Sequence, residues 1–407
     1  MNPSHRSRSR SVLPRWLLPA LVTCGCSGEA AAPASPALRI VAGDHQAASV
    51  CAAVPVAPAV RFDQGGRPLA GVPVTFTVTA GAGSVTGGDA ATNAAGVATL
   101  GSWTLGVDTG TNALSASVSS SSGVASVTFT ATSHAEQVLR DVIIYTTEGF
   151  GSADVAIVRP DGSCRRRLTH GDAPYSGPAI SPDGRRIVVA RYNGAWNSIY
   201  LMQADGSGLT KLVGRSDFDV APAWSPDGGK IAFGSNNPGP FGAYGRIYVI
   251  GADGTGLRQV TPETPDYTYD AGPTWSPDGT RIAFSRTGRL YVINADGTGL
   301  TPLAQGAEYP AWSPDGAHIA YGTSGGGRAL FVVNADGSNP MSLTTDTLQK
   351  GMPRWSPDGQ RLVFYRVVGT TSQLFTIGAD GSGEARLSAA TVNEDWPNWS
   401  PLPHSTP

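Results

Sequence analysis

Between residues 72 and 79 apolar and polar positions alternate: Val72, Val74, Phe76 and Val78 are interleaved with Pro73, Thr75, Thr77 and Thr79. A period of two belongs to a half-buried strand. "GVATLGSWTLG" and "ASVTFTATS" have the same strand-like composition, separated by Gly, Asn and Ser turns, and no helical period runs through residues 38–133. The pattern predicts a β-sandwich over that stretch.

From residue 140 the pattern becomes a repeat. Ser-Pro-Asp-Gly starts at 181, 225, 276, 313 and 356, and a degenerate "WSPLP" stands at 399. A second marker, Asp-Gly, falls at 161, 205, 253, 296, 336 and 380, and seven residues after each aspartate stands a Leu or Val. The period of about 43 is that of a four-stranded propeller blade. Each repeat reads as a first strand ending in Trp-Ser, a second such as "KIAFG", a third such as "RIYVIG", and a fourth carrying the Leu or Val. "RDVIIYTTE", from 140, is a second strand with no first strand ahead of it, and "WPNWSP", from 396, is a first strand with no second after it. Joined, they complete a sixth blade and remove two exposed sheet edges. The expected fold class is all-β: a sandwich followed by a six-bladed β-propeller over 140–401, with 134–139 as connector and 402–407 as tail.

The repeated aspartates Asp183, Asp227, Asp278, Asp315 and Asp358 read as turn residues. Pro presets φ, Asp accepts hydrogen bonds from nearby amides, and Gly takes positive φ, whereas a catalytic residue needs only one copy. Trp224, Trp275, Trp312 and Trp355 are expected to pack between neighbouring blades.

These motifs carry two resemblances. "AGVPVTF", "AAGVATLGSWTLG", "GTNALSA" and "VTFTATS" together resemble bacterial Ig-like domains of the invasin and intimin type, which implies a spacer or adhesion module. The repeats of 140–401 resemble the WD-repeat-like blades of TolB and of the propeller domains of prolyl oligopeptidases. TolB is a periplasmic protein of the Tol-Pal system whose propeller binds partner proteins, so that resemblance implies a protein-binding role in the cell envelope. TolB carries a different α/β unit at its N-terminus, so its specific role does not transfer.

Composition narrows the picture. The chain has 407 residues, 52 glycines, 31 prolines and a net charge of −2, with no basic block beyond the extreme N-terminus. Nucleic acid is therefore not an expected partner. Arg6, Arg8, Arg10 and Arg15 followed by the short apolar run Trp16 to Thr23 form a signal peptide over 1–26, too short to span a bilayer. Its end resembles a bacterial lipoprotein signal, with Cys24 and Cys26 as lipidation candidates. Export to the periplasm or outer membrane on a lipid anchor, and ordinary secretion, both stand. Residues 27–37 form a small-residue tether. Cys51 and Cys164 fall in different predicted domains and are read as unpaired.

The turns after first and third strands are nearly identical from blade to blade, while the loops after second and fourth strands differ in each. Binding is expected where a rigid scaffold presents variable loops. That face carries Tyr175, Trp196, Asp219, Tyr244, Asp270, Glu308, Tyr309, Asp395 and Trp396, with several carboxylates expected near the mouth of the central channel. They suit a cationic or polyhydroxylated ligand: a basic peptide segment, a glycan or a metal ion. Turn capping and loop packing is the competing reading. "GTSGG", 322–326, matches Gly-x-Ser-x-Gly only formally, because that motif works on a strand-to-helix turn. No His-x-x-x-His, Cys-x-x-Cys or EF-hand spacing is present, so the motif evidence for a metal is weak, and no cofactor is expected. The preferred reading is a monomeric exported binding protein recognising an envelope protein or glycan. Alternatives are a lyase or glycan hydrolase using channel-mouth carboxylates and His170, or a purely structural adhesion module.

Overall fold

A computed structural model describes residues 36–401, apart from 121–122, 150–151, 214–217, 240–241, 265–267, 324–328 and 389–390. The signal segment with Cys24 and Cys26, Ser324 of the "GTSGG" match, and 402–407 lie outside the described residues. Every regular element described is a strand.

In the N-terminal unit the alternation becomes burial. Along Pro73–Ala80, Val74 and Phe76 are buried while Thr75 and Thr77 are exposed. One sheet is built from Ala37–Ala42, Ala59–Gln64, Arg67–Pro68 and Val97–Thr99. A second runs in the order Gln46–Ser49, Gly123–His134, Gly110–Ser120, Pro73–Ala80, Asp89–Ala91, its first pair parallel, and Ser84–Thr86 pairs with Ser102–Thr104 in a small third sheet. Val60 and Phe62 from the first sheet meet Val74, Phe76, Leu114 and Phe129 from the second in one core.

Beyond the connector come six four-stranded antiparallel sheets. In five of them the strands follow chain order, as in Phe218–Trp224, Lys230–Gly239, Gly242–Gly251, Arg258–Gln259. The remaining sheet mixes the ends: Glu394–Trp399 pairs antiparallel with Ile143–Gly149, which continues to Ser152–Val158 and Arg166–Arg167. The inner strands are Tyr175–Ile180, Phe218–Trp224, Asp270–Trp275, Ala307–Trp312, Lys350–Trp355 and Glu394–Trp399. Each contacts the next, and the last contacts the first, so the series closes on itself.

A separate apolar cluster fills every gap between neighbouring sheets. The tryptophans sit in these gaps. Trp224 Nε1 donates to Ala179 O at 3.1 Å and Trp275 Nε1 to Ala223 O at 3.3 Å, each reaching the preceding sheet. Arg186 lies over the Trp224 ring at 4.9 Å and Arg281 over Trp312 at 4.8 Å. Indole burial, a hydrogen bond and a cation–π contact thus join neighbours at a single residue.

Reading the cysteines as unpaired is corrected by the structure: Cys51 and Cys164 form a disulfide with Cα atoms 5.8 Å apart. Distance in sequence misled because the loop after Gln46–Ser49 folds onto the first Asp-Gly turn of the ring. The connector packs as well. Leu139 is fully buried beside Ile144 and Ile187, its amide donates to Gly184 O at 2.8 Å, and Glu136 pairs with Arg166 at 3.3 Å.

Candidate binding site

Each Ser-Pro-Asp-Gly turn is closed by a reciprocal bond. Asp278 Oδ1 accepts from Ser276 Oγ at 2.5 Å and Thr280 N at 3.0 Å, while Ser276 Oγ accepts from Arg281 N at 2.9 Å. Asp183, Asp227, Asp315 and Asp358 make the same contacts with their own serines. These donors hold all five carboxyls below the usual range, Asp278 at about 2, where the Ser276 hydroxyl is the largest cause. Every carboxylate is engaged by its own turn.

The inner strands share a second device. In all six, the residue before the proline takes positive φ: Gly177, Ala221, Gly272, Tyr309, Met352 and Trp396. The pairing register of every inner strand shifts at this point, a β-bulge that turns the strand along the channel axis. The rings of Tyr309 and Trp396, from sheets that are not neighbours, meet edge to face at 5.2 Å. Gly177 and Ala221 hold the same position on two other inner strands, a pair so close that a Cβ on Gly177 would lie 3.2 Å from the Ala221 Cα. Aromatic bulk therefore narrows the channel at this level.

The residues expected to bind fall into three groups. Tyr175, Asp219 and Asp270, with Glu394, occupy the position three before the proline and are buried. Tyr175 donates to Asp172, and burial followed by that bond pushes its phenol up to about 12. Asp270 is held side-on by Arg286, at 2.6 and 2.8 Å. Asp219 and Asp270 do not line an open channel mouth, because both are fully buried, Asp270 against Arg286 of its own sheet. The second group is accessible: Glu308 is exposed, Trp196 is half-buried against Phe218 at 5.3 Å, and Tyr309 and Trp396 are half-buried in the channel. Burial pushes Tyr309 up to about 12. Asp395 is half-buried, its carboxyl raised by burial and then by Glu148 and Glu394. Tyr244 lies on Gly242–Gly251, and its side chain is outside the described residues.

The structure also holds a chamber on the opposite, Ser-Pro-Asp-Gly face of the channel. It measures 440 Å³ and is lined by Trp224, Trp275, Trp312, Trp355 and Trp399, by the prolines of the Ser-Pro turns that follow them, and by Arg354. The turns of that face are nearly identical from sheet to sheet. The missed signal is the residue after the inner-strand proline: Ala179, Ala223, Thr274, Ala311, Arg354 and Asn398. One of six positions departs to a cation.

Residues 242–403 match the family model described as TolB beta propeller domain, PD40. The C-terminal part of the chain carries a TolB-type propeller. A Tol-Pal system protein TolB of Anaeromyxobacter dehalogenans is 35% identical over 127 residues, 31% of this chain and 27% of the relative. A protein TolB homolog of Chlorobium luteolum is 28% identical over 142 residues, 35% of this chain and 30% of the relative. The chain spans less than half the length of the curated relatives it matches. Among solved structures, TolB from Acinetobacter baumannii superimposes with a TM-score of 0.55 at 18% identity, covering 72% of this chain and 80% of that one. That likeness is one of fold.

Proposed function

We propose that the protein is an exported cell-envelope binding protein, in which a six-bladed TolB-like propeller recognises a protein or glycan partner and an Ig-like domain serves as spacer. The observation that carries this reading is the closed series of six sheets, a rigid frame for loops that differ from sheet to sheet. The Tol-Pal relatives support an envelope setting. The Cys51–Cys164 disulfide supports export, since such bonds persist in oxidising compartments. The two larger β-sheets packed around one core in the N-terminal unit support the Ig-like assignment. A lipid anchor at Cys24 or Cys26 tethers the protein in this reading, and the spacer stays in fixed orientation through the disulfide and the packed Leu139.

Recognition proceeds without catalysis. His170 is exposed, while Asp219 and Asp270, carboxylates the enzyme reading would use, are fully buried. The contact surface is the variable-loop face, where Tyr269 is 41% exposed beside half-buried Trp196 and exposed Glu308. Full-length protein is to be crosslinked in envelope fractions, with a Tyr269→Ala, Glu308→Arg double variant alongside. Capture of one defined envelope protein or glycan by the wild type, at least tenfold reduced in the variant, is expected. Equal capture by both would remove the variable face from the account.

A further inference from the structure

The chamber on the Ser-Pro-Asp-Gly face contains a cation with no partner of opposite charge among the described residues. Arg354 is the one charged side chain among its lining residues. Nη1 of Arg354 donates to Pro353 O at 2.8 Å and to Tyr309 O at 3.4 Å. No carboxylate among the described residues pairs with it, and its Nε and Nη2 donors have no partner there. By contrast Asp270, Lys350 and Glu394, charged residues three before the inner-strand proline, are in ion pairs.

Protein packs around the guanidinium, yet part of its surface faces the open space of the chamber. Burial lowers its pKa to about 10, so it stays charged at neutral pH. A charge kept in such a place without a counter-charge is a stability cost, and three of the other sheets place alanine at the same position, at Ala179, Ala223 and Ala311. Stability given up at one position is a trade that functional sites make.

We propose that this chamber binds a carboxylate carried on an apolar or aromatic body, with the carboxylate paired to Arg354. The guanidinium offers two parallel N–H donors that match the two carboxylate oxygens. The indole and proline walls bury the body of the ligand, and 440 Å³ lies within the usual size of small-ligand sites. Beyond Arg354 the space shrinks to about 10 Å³ between Gly177, Ala221, Met352 and Trp396, so the ligand enters from the turn face and stops there. The site does not depend on the variable-loop surface, which lies at the other end of the channel. A small organic acid and the C-terminal carboxylate of a peptide share this chemistry.

The chamber tryptophans provide the readout. Full-length protein is titrated, following intrinsic fluorescence, with 3-phenylpropionate and its amide, and with a tetrapeptide ending in Phe as free acid and as C-terminal amide. Saturable binding of at least one acid is expected, with its amide at least tenfold weaker. Arg354→Ala should bring acid and amide to the same weak affinity, Arg354→Lys should retain part of the preference, and the Tm of Arg354→Ala should equal or exceed that of the wild type. Binding of the peptide acid alone makes a chain terminus the source, and binding of the small acid makes it an organic acid. Equal affinity for acid and amide, no saturable binding of either acid, or an unchanged acid preference in Arg354→Ala would each overturn the proposal.

Discussion

Cys164 stands where the other Asp-Gly turns have Gly208, Gly256, Gly299, Asn339 and Gly383, the third residue after the aspartate. All of these take positive φ, and Cys164 does so too, at 51°. Left-handed backbone costs an ordinary L-residue about 1–2 kcal/mol, which glycine avoids. A cysteine is held there by its bond to Cys51, itself at φ 57°. Two effects can then be separated. With Cys51 replaced by Ser, Cys164→Gly should unfold at higher urea than Cys164→Ser by about 1 kcal/mol, since both lack the bond and only one relieves the backbone. Both should fall below the wild type by on the order of 2–5 kcal/mol, as expected for a cross-link closing a loop this long. If the Gly and Ser variants unfold together, the backbone account of this residue is wrong. The disulfide was legible in principle, through a cysteine replacing glycine in a repeated turn. It escaped because the repeat was read for what its copies share.

The sheet-to-sheet joint rests on the Trp-Ser-Pro-Asp-Gly unit. Trp275 is 6% exposed and its indole reaches back to Ala223. Trp275→Ala should cost about 3–5 kcal/mol in chemical denaturation, the range for a large buried aromatic; a loss under about 1 kcal/mol would show that the gap is held by its other members. The aspartate adds a pH dependence of definite sign. Asp278 titrates at about 2 in the folded chain against 3.8 ordinarily, so it stabilises above about pH 4 and that contribution is lost as pH falls towards 2. Asp278→Asn should therefore have a lower Tm than the wild type at pH 7, with the gap closing below pH 4. A gap that stays constant to pH 2 would exclude the charge as its cause. These units were fully legible, because five copies of a Pro-Asp-Gly turn leave little freedom in what the residues do. The positive-φ bulge before each inner-strand proline was not. Gly177 and Gly272 hint at it, but Ala221, Tyr309, Met352 and Trp396 do not favour that conformation on their own, and tertiary packing around the channel imposes it.

For the molecule as a whole, the strand count foreshadowed the junction between Ile143–Gly149 and Glu394–Trp399, since an orphan at each end implied a shared sheet. The chamber and its guanidinium could not be reached that way, because they arise from residues of six strands that only closure brings together. The exposed part of the variable face was likewise obscured, as Asp219 and Asp270 look like surface acids in sequence and are buried in the structure. Everything proposed about either face depends on the closed series of sheets. Amide hydrogen exchange on the full-length protein tests it most directly. Closure predicts that the amides of Ile143–Gly149 and Glu394–Trp399 exchange slowly and at a common rate, through one opening event. Fast, tail-like exchange across Glu394–Trp399 beside a still-protected Ile143–Gly149 would contradict it.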